Sequence, residues 1–217
     1  MGRRAVKTIN QDLDLSQVLK TPEELPAIWS SEAIFGCSSP LELEIGSGKG
    51  LFLRRIADQF PERHFIGIEI GQKYARFSAA RLYDRSNRNA VIVCGDAADI
   101  LHDRIPDNIL AAVHVYFPDP WWKRAHRKRR ILRLEVLRLI ERRLQPGGVF
   151  HFWTDVEEYF LSTLRLLREN FLLLGPFEVS EKEAEDDFDY RTHFERRTRL
   201  HGAKVYRVMF IKASVCD

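Results

Sequence analysis

The sequence predicts an α/β domain built on a doubly wound, mostly parallel sheet. Short apolar runs at 41–45, 64–70, 90–94, 111–116 and 149–154 end in turn residues or carboxylates and have strand length. Between them lie segments with apolar residues at helical spacing, and strands alternating with helices pair in parallel through crossovers. No internal repeat or low-complexity linker breaks the alternation.

Residues 1–20 mix charges without periodicity and read as a loosely held arm. Thr21-Pro22-Glu23-Glu24 reads as a helix start, with Thr21 as N-cap and Pro22 in the first helical position. Regular patterning begins at Leu41, so the expected division is an arm with a short helix over 1–40 and the main domain over 41–217. Strand 41–45 runs into Gly46-Ser47-Gly48-Lys49-Gly50, and Leu53, Ile56, Ala57 and Phe60 then mark a helix closed by Pro61. Strand 64–70 carries Glu69 and precedes a helix over 72–85, while strand 90–94 leads into Gly95-Asp96. The fourth strand is broken by Pro118 and Pro120. Leu134, Leu137, Ile140 and Leu144 line the next helix, which Pro146-Gly147-Gly148 stops. Strand 149–154 ends at Asp155, Phe160, Leu164, Leu167 and Phe171 mark a further helix, and 204–211 reads as a closing strand.

Length and charge bound the function. A chain of 217 residues is long enough for one real core. Lys+Arg 34 against Asp+Glu 31 is too even to mark a nucleic-acid binder, yet six of the eight positions 123–130 are basic, and so is much of 191–199. The stretch 178–189 is strongly acidic, so the surface should be polarised. Cys37, Cys94 and Cys216 show no CxxC spacing, which argues against a disulfide framework and a zinc site. No apolar run reaches the about 18 residues of a membrane span. The expectation is a soluble, cytoplasmic protein with no metal and no membrane partner, monomeric or homodimeric.

In doubly wound sheets ligands sit beyond the carboxyl ends of the strands. The residues there are 46–50, Glu69, Asp96, Asp119 and Asp155. The spacing G-x-G-x-G puts Leu51 where a dinucleotide fingerprint needs its third glycine, and Glu44 would repel a pyrophosphate. A carboxylate there can instead accept from an ammonium group, while Gly46 and Gly48 let backbone approach a ligand closely. Glu69 lies 19 positions after Gly50, where an acidic side chain grips ribose hydroxyls, and Asp96 can accept from an adenine amino group. Together they fit an adenosyl cofactor with a positively charged tail. In Phe117-Pro118-Asp119-Pro120-Trp121-Trp122, prolines restrict the backbone around a carboxylate and tryptophans offer stacking faces beside the basic run, as a pocket for a nucleic-acid base requires. Each feature also has a plain reading: a tight turn, a solvated loop carboxylate, a solvated basic helix.

Glu44-Ile45-Gly46-Ser47-Gly48-Lys49-Gly50, Gly67-Ile68-Glu69, Phe117-Pro118-Asp119-Pro120-Trp121 with its basic tail, and Thr192-His193-Phe194-Glu195-Arg196 resemble the tRNA (guanine-N7)-methyltransferase family. The resemblance runs from about Leu41 to Phe210, and the Pro-Asp-Pro-Trp stretch with its basic tail is its specific part. It implies a seven-stranded, Rossmann-like methyltransferase sheet, S-adenosylmethionine as cofactor and tRNA as partner. It also implies that Glu44, Gly46, Gly48, Glu69, Asp96 and Asp119 bind the cofactor, with Asp119 catalytic. Lys123, Arg127, Lys128, Arg129, Asp155, Thr192, His193, Phe194 and Glu195 match substrate positions, and the implied target is a guanine in the variable loop. His193 stands where the family usually has Lys or Arg, and Trp122 occupies a variable position. Three other readings compete: an exocyclic-amine methyltransferase, against which Trp121 replaces the second proline of that motif; a non-catalytic RNA-binding protein; and a nicotinamide dehydrogenase.

Overall fold

A computed structural model of the protein describes residues 12–83, 88–181, 183 and 190–214. In chain order the elements are β1 (Leu19–Lys20), α1 (Ser31–Phe35), β2 (Leu41–Ile45), α2 (Leu51–Gln59), β3 (His64–Glu69), α3 (Gln72–Tyr83), β4 (Ala90–Cys94), α4 (Ala97–Asp103), β5 (Leu110–Tyr116), α5 (Leu134–Arg143), β6 (Leu144–Thr154), α6 (Glu157–Asn170), β7 (Leu173–Glu178), α7 (His193–Leu200) and β8 (Tyr206–Lys212). One sheet holds all eight strands in the order β1-β4-β3-β2-β5-β6-β8-β7. Pairing is parallel from β1 to β6 and antiparallel at β8 and β7.

Alternation along the strands sorts side chains onto two faces. Leu41, Leu43, Ile45, Ile66, Ile68, Val91 and Val93 join α4, α5 and α6 in the larger core, together with Trp29. Phe65, Ala90 and Ile92 pack against α2 and α3 on the other face. On that second face the residues between the apolar ones of β2 and β5 are polar: Glu42, Glu44, His114 and Tyr116, all buried. A third, smaller cluster of Phe52, Tyr116, Phe117, Trp153 and Val205 lies towards the carboxyl ends of the strands.

The structure departs from the sequence expectations in four places. The sheet has eight strands rather than seven, because Leu19 and Lys20 pair with Ile92 and Val93 on the open side of β4. Residues 12–20 are accordingly held rather than loose, with Leu15 and Val18 buried against α3 and β4. The expected helix at Thr21 is a single 3-10 turn, Pro22–Glu24, in which Glu24 accepts the Thr21 amide at 2.6 Å. Pro146-Gly147-Gly148 does not precede β6 but lies inside it, since Leu144 already pairs with Leu110. A Cβ on Gly148 would sit 2.8 Å from Gln145 O and 2.9 Å from Leu110 O, so only glycine lets the strand bend there. Strand β7 went unread, because Gly175-Pro176 interrupts its apolar run. Residues 84–87 and 184–189, covering the end of the expected second helix and most of the acidic stretch, lie outside the described residues. Among the described residues no helix is long and apolar enough to cross a membrane.

Candidate functional site

Glu44 lies in register between Gly67 of β3 and His114 of β5. It is 3 % exposed, and burial, reinforced by the neighbouring charge of Glu69, pushes its carboxyl up to about 8. Among the described residues neither Glu44 Oε2 nor Ser47 Oγ makes a well-formed hydrogen bond, although the Ser47 hydroxyl stands close enough to Glu44 to offset part of the effect of burial. A buried, unsatisfied polar group costs roughly 1–3 kcal/mol, so these two atoms suit a donor arriving from outside the chain. An ammonium group fits them.

The turn that follows is built by position. Gly46, Gly48 and Gly50 all take positive φ, at +80°, +53° and +68°. The Gly46 and Ser47 amides both donate to Ile68 O, at 2.8 and 3.0 Å. Glu69 holds the turn from one side: Oε2 accepts the Gly48 amide at 2.8 Å and Oε1 the Gly71 amide at 2.9 Å. At Gly50 a Cβ would meet Ser78 Oγ at 2.1 Å, so α2 can start against α3 only from a bare backbone. Arg81 of α3 adds a link absent from the sequence reading. Its Nη1 donates to Lys49 O at 3.2 Å and to His193 Nε2 at 2.9 Å, tying the glycine turn to the start of α7. Asp96 is exposed at the end of β4 and caps α4, its Oδ1 accepting the Ala98 amide at 2.7 Å.

Asp119 is exposed at the tip of a loop whose backbone is forced. Phe117 and Trp121, on either side of Pro118-Asp119-Pro120, have φ of +49° and +44°. Such conformations cost on the order of 1–3 kcal/mol each in a non-glycine residue, and persist where the surroundings impose them. Here the Phe117 amide donates to Trp153 O at 2.8 Å, the Phe117 ring stacks on Phe194 at 6.2 Å, and Arg130 Nε donates to Pro120 O at 2.7 Å.

That last contact takes one cation out of the basic run 123–130. Lys123, Arg127, Lys128 and Arg129 are exposed on or beside a 3-10 helix, Arg124–Arg129, but Arg130 is buried, lies over the Tyr159 ring at 4.5 Å and pairs with Glu158 at 2.5 Å. Arg129 stacks over Trp121 at 5.1 Å, and Trp122 is 63 % exposed.

The 192–195 motif opens α7. Thr192 caps it, accepting the Glu195 amide at 3.0 Å, and Glu195 Oε2 accepts the Arg191 amide at 2.7 Å. Glu195 is 3 % exposed and pairs with Arg207 and Arg199, at 3.2 and 3.5 Å. Buried Glu195 and half-buried Thr192 therefore hold the helix, and Arg199, shared between Glu195 and Glu181, is equally committed. Arg191, one of the basic residues of 191–199, lies over the Trp153 ring at 5.0 Å. Asp155 is exposed at the end of β6, its Oδ2 accepting from Thr198 Oγ1 at 3.5 Å. Thus 46–50, Glu44, Glu69, Asp96, Asp119 and Asp155 share one end of the sheet, and Phe194 joins them through Phe117. No group of three or more potential metal ligands occurs among the described residues.

The family model described as "Putative methyltransferase" matches residues 38–208, which include every residue of this site. The tRNA (guanine-N(7)-)-methyltransferase of Rhodopirellula baltica is 48% identical over 220 residues, covering 99% of this chain and 81% of that protein. The chain belongs to the tRNA (guanine-N7)-methyltransferase family. Its Escherichia coli K12 member is 37% identical over 184 residues, covering 82% of this chain and 74% of that one. Solved structures add the fold. Precorrin-6y C5,15-methyltransferase from Geobacter metallireducens superposes with a TM-score of 0.54 at 17% identity, covering 80% of this chain and 82% of that one. The cyclase SpnF superposes at 0.55, also at 17% identity, covering 81% and 75%. A cyclase on the same fold means that architecture alone does not assign the reaction, so the site must carry it.

Proposed function

We propose that the protein transfers a methyl group from S-adenosylmethionine to N7 of a guanine in tRNA, in the variable loop. The observation that carries this reading is one end of the sheet on which a glycine turn, floored by the buried Glu44 oxygen, meets the forced 117–121 loop. The names of the relatives support the choice of tRNA and of guanine N7.

Glu44 and Ser47 receive the ammonium end of the cofactor, and Gly46 and Gly48 bring backbone against it. Glu69, which braces the turn through the Gly48 and Gly71 amides, takes ribose hydroxyls, and Asp96 takes the adenine amino group. When bound, the cofactor supplies an electrophilic methyl group on a sulfonium. Guanine N7 carries a lone pair and no proton, so the chain needs no general base at the attacking atom. Its task is alignment, which can lower a barrier by as much as ~7–11 kcal/mol. Asp119, fixed by its loop, accepts from the N1–H and amino edge of guanine and stabilises the positive charge that the alkylated ring acquires. Asp155 shares that edge. Lys123, Arg127, Lys128 and Arg129 neutralise phosphates, His193 and Phe194 line the RNA side, and Thr192 and Glu195 act through the helix they hold.

The test is methyl transfer from labelled S-adenosylmethionine to unmodified bulk tRNA, followed by digestion and mass spectrometry of the nucleosides. 7-Methylguanosine is expected. A methylated exocyclic amine would overturn the Asp119 pocket, and cofactor binding without transfer to RNA would overturn the substrate.

A further inference from the structure

On the second face of the sheet a polar line that the chemistry above does not use runs from the half-exposed Arg63 through buried Glu42, His114 and Tyr116 to Arg191. Arg63 Nη1 donates to Glu42 Oε1 at 2.6 Å, and Glu42 Oε2 lies 2.8 Å from His114 Nε2. His114 Nδ1 is 2.9 Å from the Tyr116 hydroxyl, which is 3.1 Å from Arg191 Nη1. With an ionised Glu42 and a neutral His114, one proton arrangement satisfies every contact. Arg191 can only donate, so the Tyr116 oxygen accepts from it and gives its own hydrogen to His114 Nδ1; Nε2–H then donates to Glu42. Glu42, His114 and Tyr116 are 4 %, 3 % and 6 % exposed. Burial holds the His114 imidazole below its usual range and the Tyr116 hydroxyl above its own, which keeps both neutral. Beyond its hydrogen bond, the Arg191 guanidinium is boxed by the rings of Phe52, Tyr116 and Trp153, at 5.7, 5.8 and 5.0 Å.

The two ends of this contact stand next to the two motifs. Tyr116 immediately precedes Phe117 and the Asp119 loop; Arg191 immediately precedes Thr192 and α7. Phe117, the next residue after Tyr116, and Phe194, three residues after Arg191, stack on each other. We propose that Arg191 is a positioning residue: through Tyr116, itself oriented by His114 and Glu42, it sets the placement of α7 against the Asp119 loop, so that both address the same guanine. This rests on the function proposed above. Filling the aromatic box needs no charge, since an unbranched apolar side chain would occupy it. What the guanidinium adds is a directed hydrogen bond to one fixed hydroxyl.

The experiment compares Arg191→Met, Arg191→Lys, Tyr116→Phe and the double variant Arg191→Met/Tyr116→Phe. Arg191→Met and Tyr116→Phe should each lower kcat on tRNA about tenfold or more, the double variant should be no worse than the poorer single one, and Arg191→Lys should recover part of the loss. Affinity for S-adenosylmethionine, by calorimetry, should stay within about twofold. Amide exchange in 117–121 and in α7 should quicken together in Arg191→Met. Unchanged kcat and exchange would overturn the proposal, as would independent, multiplicative losses in the double variant. Parallel loss of cofactor binding and thermal midpoint would reduce Arg191 to a core residue. Should the wild-type chain methylate no tRNA, the functional reading fails by itself, while amide exchange still decides whether Arg191 couples the two segments.

Discussion

Arg130 Nε donates to the carbonyl of Pro120 at 2.7 Å, and that contact holds the backbone beside Asp119 from beneath. The same guanidinium reaches Glu158 and Ser162 of α6 and covers Tyr159, so the position of the loop is referred to a helix of the core. Arg130→Met keeps most of the apolar contact and removes every hydrogen bond. Loss of hydrogen bonds to a charged group costs about 1.5–3 kcal/mol each at most, and the Glu158 partner is partly solvated, so a total of about 2–3 kcal/mol is expected. In a chain of this size that lowers the thermal midpoint by roughly 5–10 °C. Turnover on tRNA should fall with it, measured well below the new midpoint, while calorimetric affinity for S-adenosylmethionine changes little.

Asp119 is presented to solvent by that anchored loop, so its replacement tests chemistry more than folding. Asp119→Asn preserves shape and removes the charge proposed to balance the alkylated purine. Losing one such electrostatic contact costs about 10²–10³-fold in kcat. Cofactor affinity should hold, because Glu44 and the glycine turn are untouched. Wild-type turnover in this variant would take Asp119 out of the mechanism.

If Glu44 seats the ammonium end of the cofactor as proposed, cofactor binding should depend on pH. Its carboxyl lies at about 8 in the free protein against an ordinary 4.5, chiefly through burial. The folded state therefore holds a proton that the unfolded state releases between those values. The stability this contributes is fully present below pH 4.5 and is lost as pH rises through about 8. An ammonium group demands the ionised form, so binding near pH 7 should expel the proton. Calorimetry in two buffers of different ionisation enthalpy should report release approaching one proton per cofactor, fading towards zero as pH rises well above 8. Glu44→Gln should bind more weakly and release none. Equal heats in the two buffers at pH 7 for the wild type would count against this role.

How much of this was legible depended on how local each signal was. The run from β2 through the glycine turn into α2 could be read because strand length, positive-φ residues and helical spacing all act within a few positions. The Asp119 loop was equally readable, since prolines declare a break wherever they stand. Arg130 was not, being one of six basic residues in the run 123–130. What separates it from Arg129 is burial against Glu158, 28 positions away. Arg191 was hidden for the same reason, its aromatic box being drawn from α2, β5 and β6. His114 and Tyr116 sit at alternate positions and so on one face of β5, but their meaning waited on Glu42, 72 positions from His114. Strand β1 has two residues and no pattern of its own; only the unpaired side of β4 makes it a strand.

The basic run yields a graded prediction rather than a single loss. Lys and Arg that neutralise phosphates release counterions, so the slope of log affinity against log salt counts the contacts, at about 0.7–0.9 per phosphate. Lys123, Lys128 and Arg129 are exposed, and Arg129 is braced by Trp121, whereas Arg127 lies 3.3 Å from Glu158 and Arg130 is buried. Substituting Lys123 or Lys128 by Ala should therefore reduce the slope of tRNA binding by about 0.7–0.9 each, additively, with no change in thermal midpoint. Arg127→Ala should reduce it by less, because the Glu158 carboxylate already competes for that cation. Arg130→Ala should lower the midpoint and leave the slope close to that of the wild type at temperatures where the loop stays folded. Filter binding at four or five salt concentrations separates these cases. If Arg130→Ala reduced the slope as much as Lys128→Ala without destabilising the protein, Arg130 would belong to the RNA face and not to the scaffold beneath Asp119.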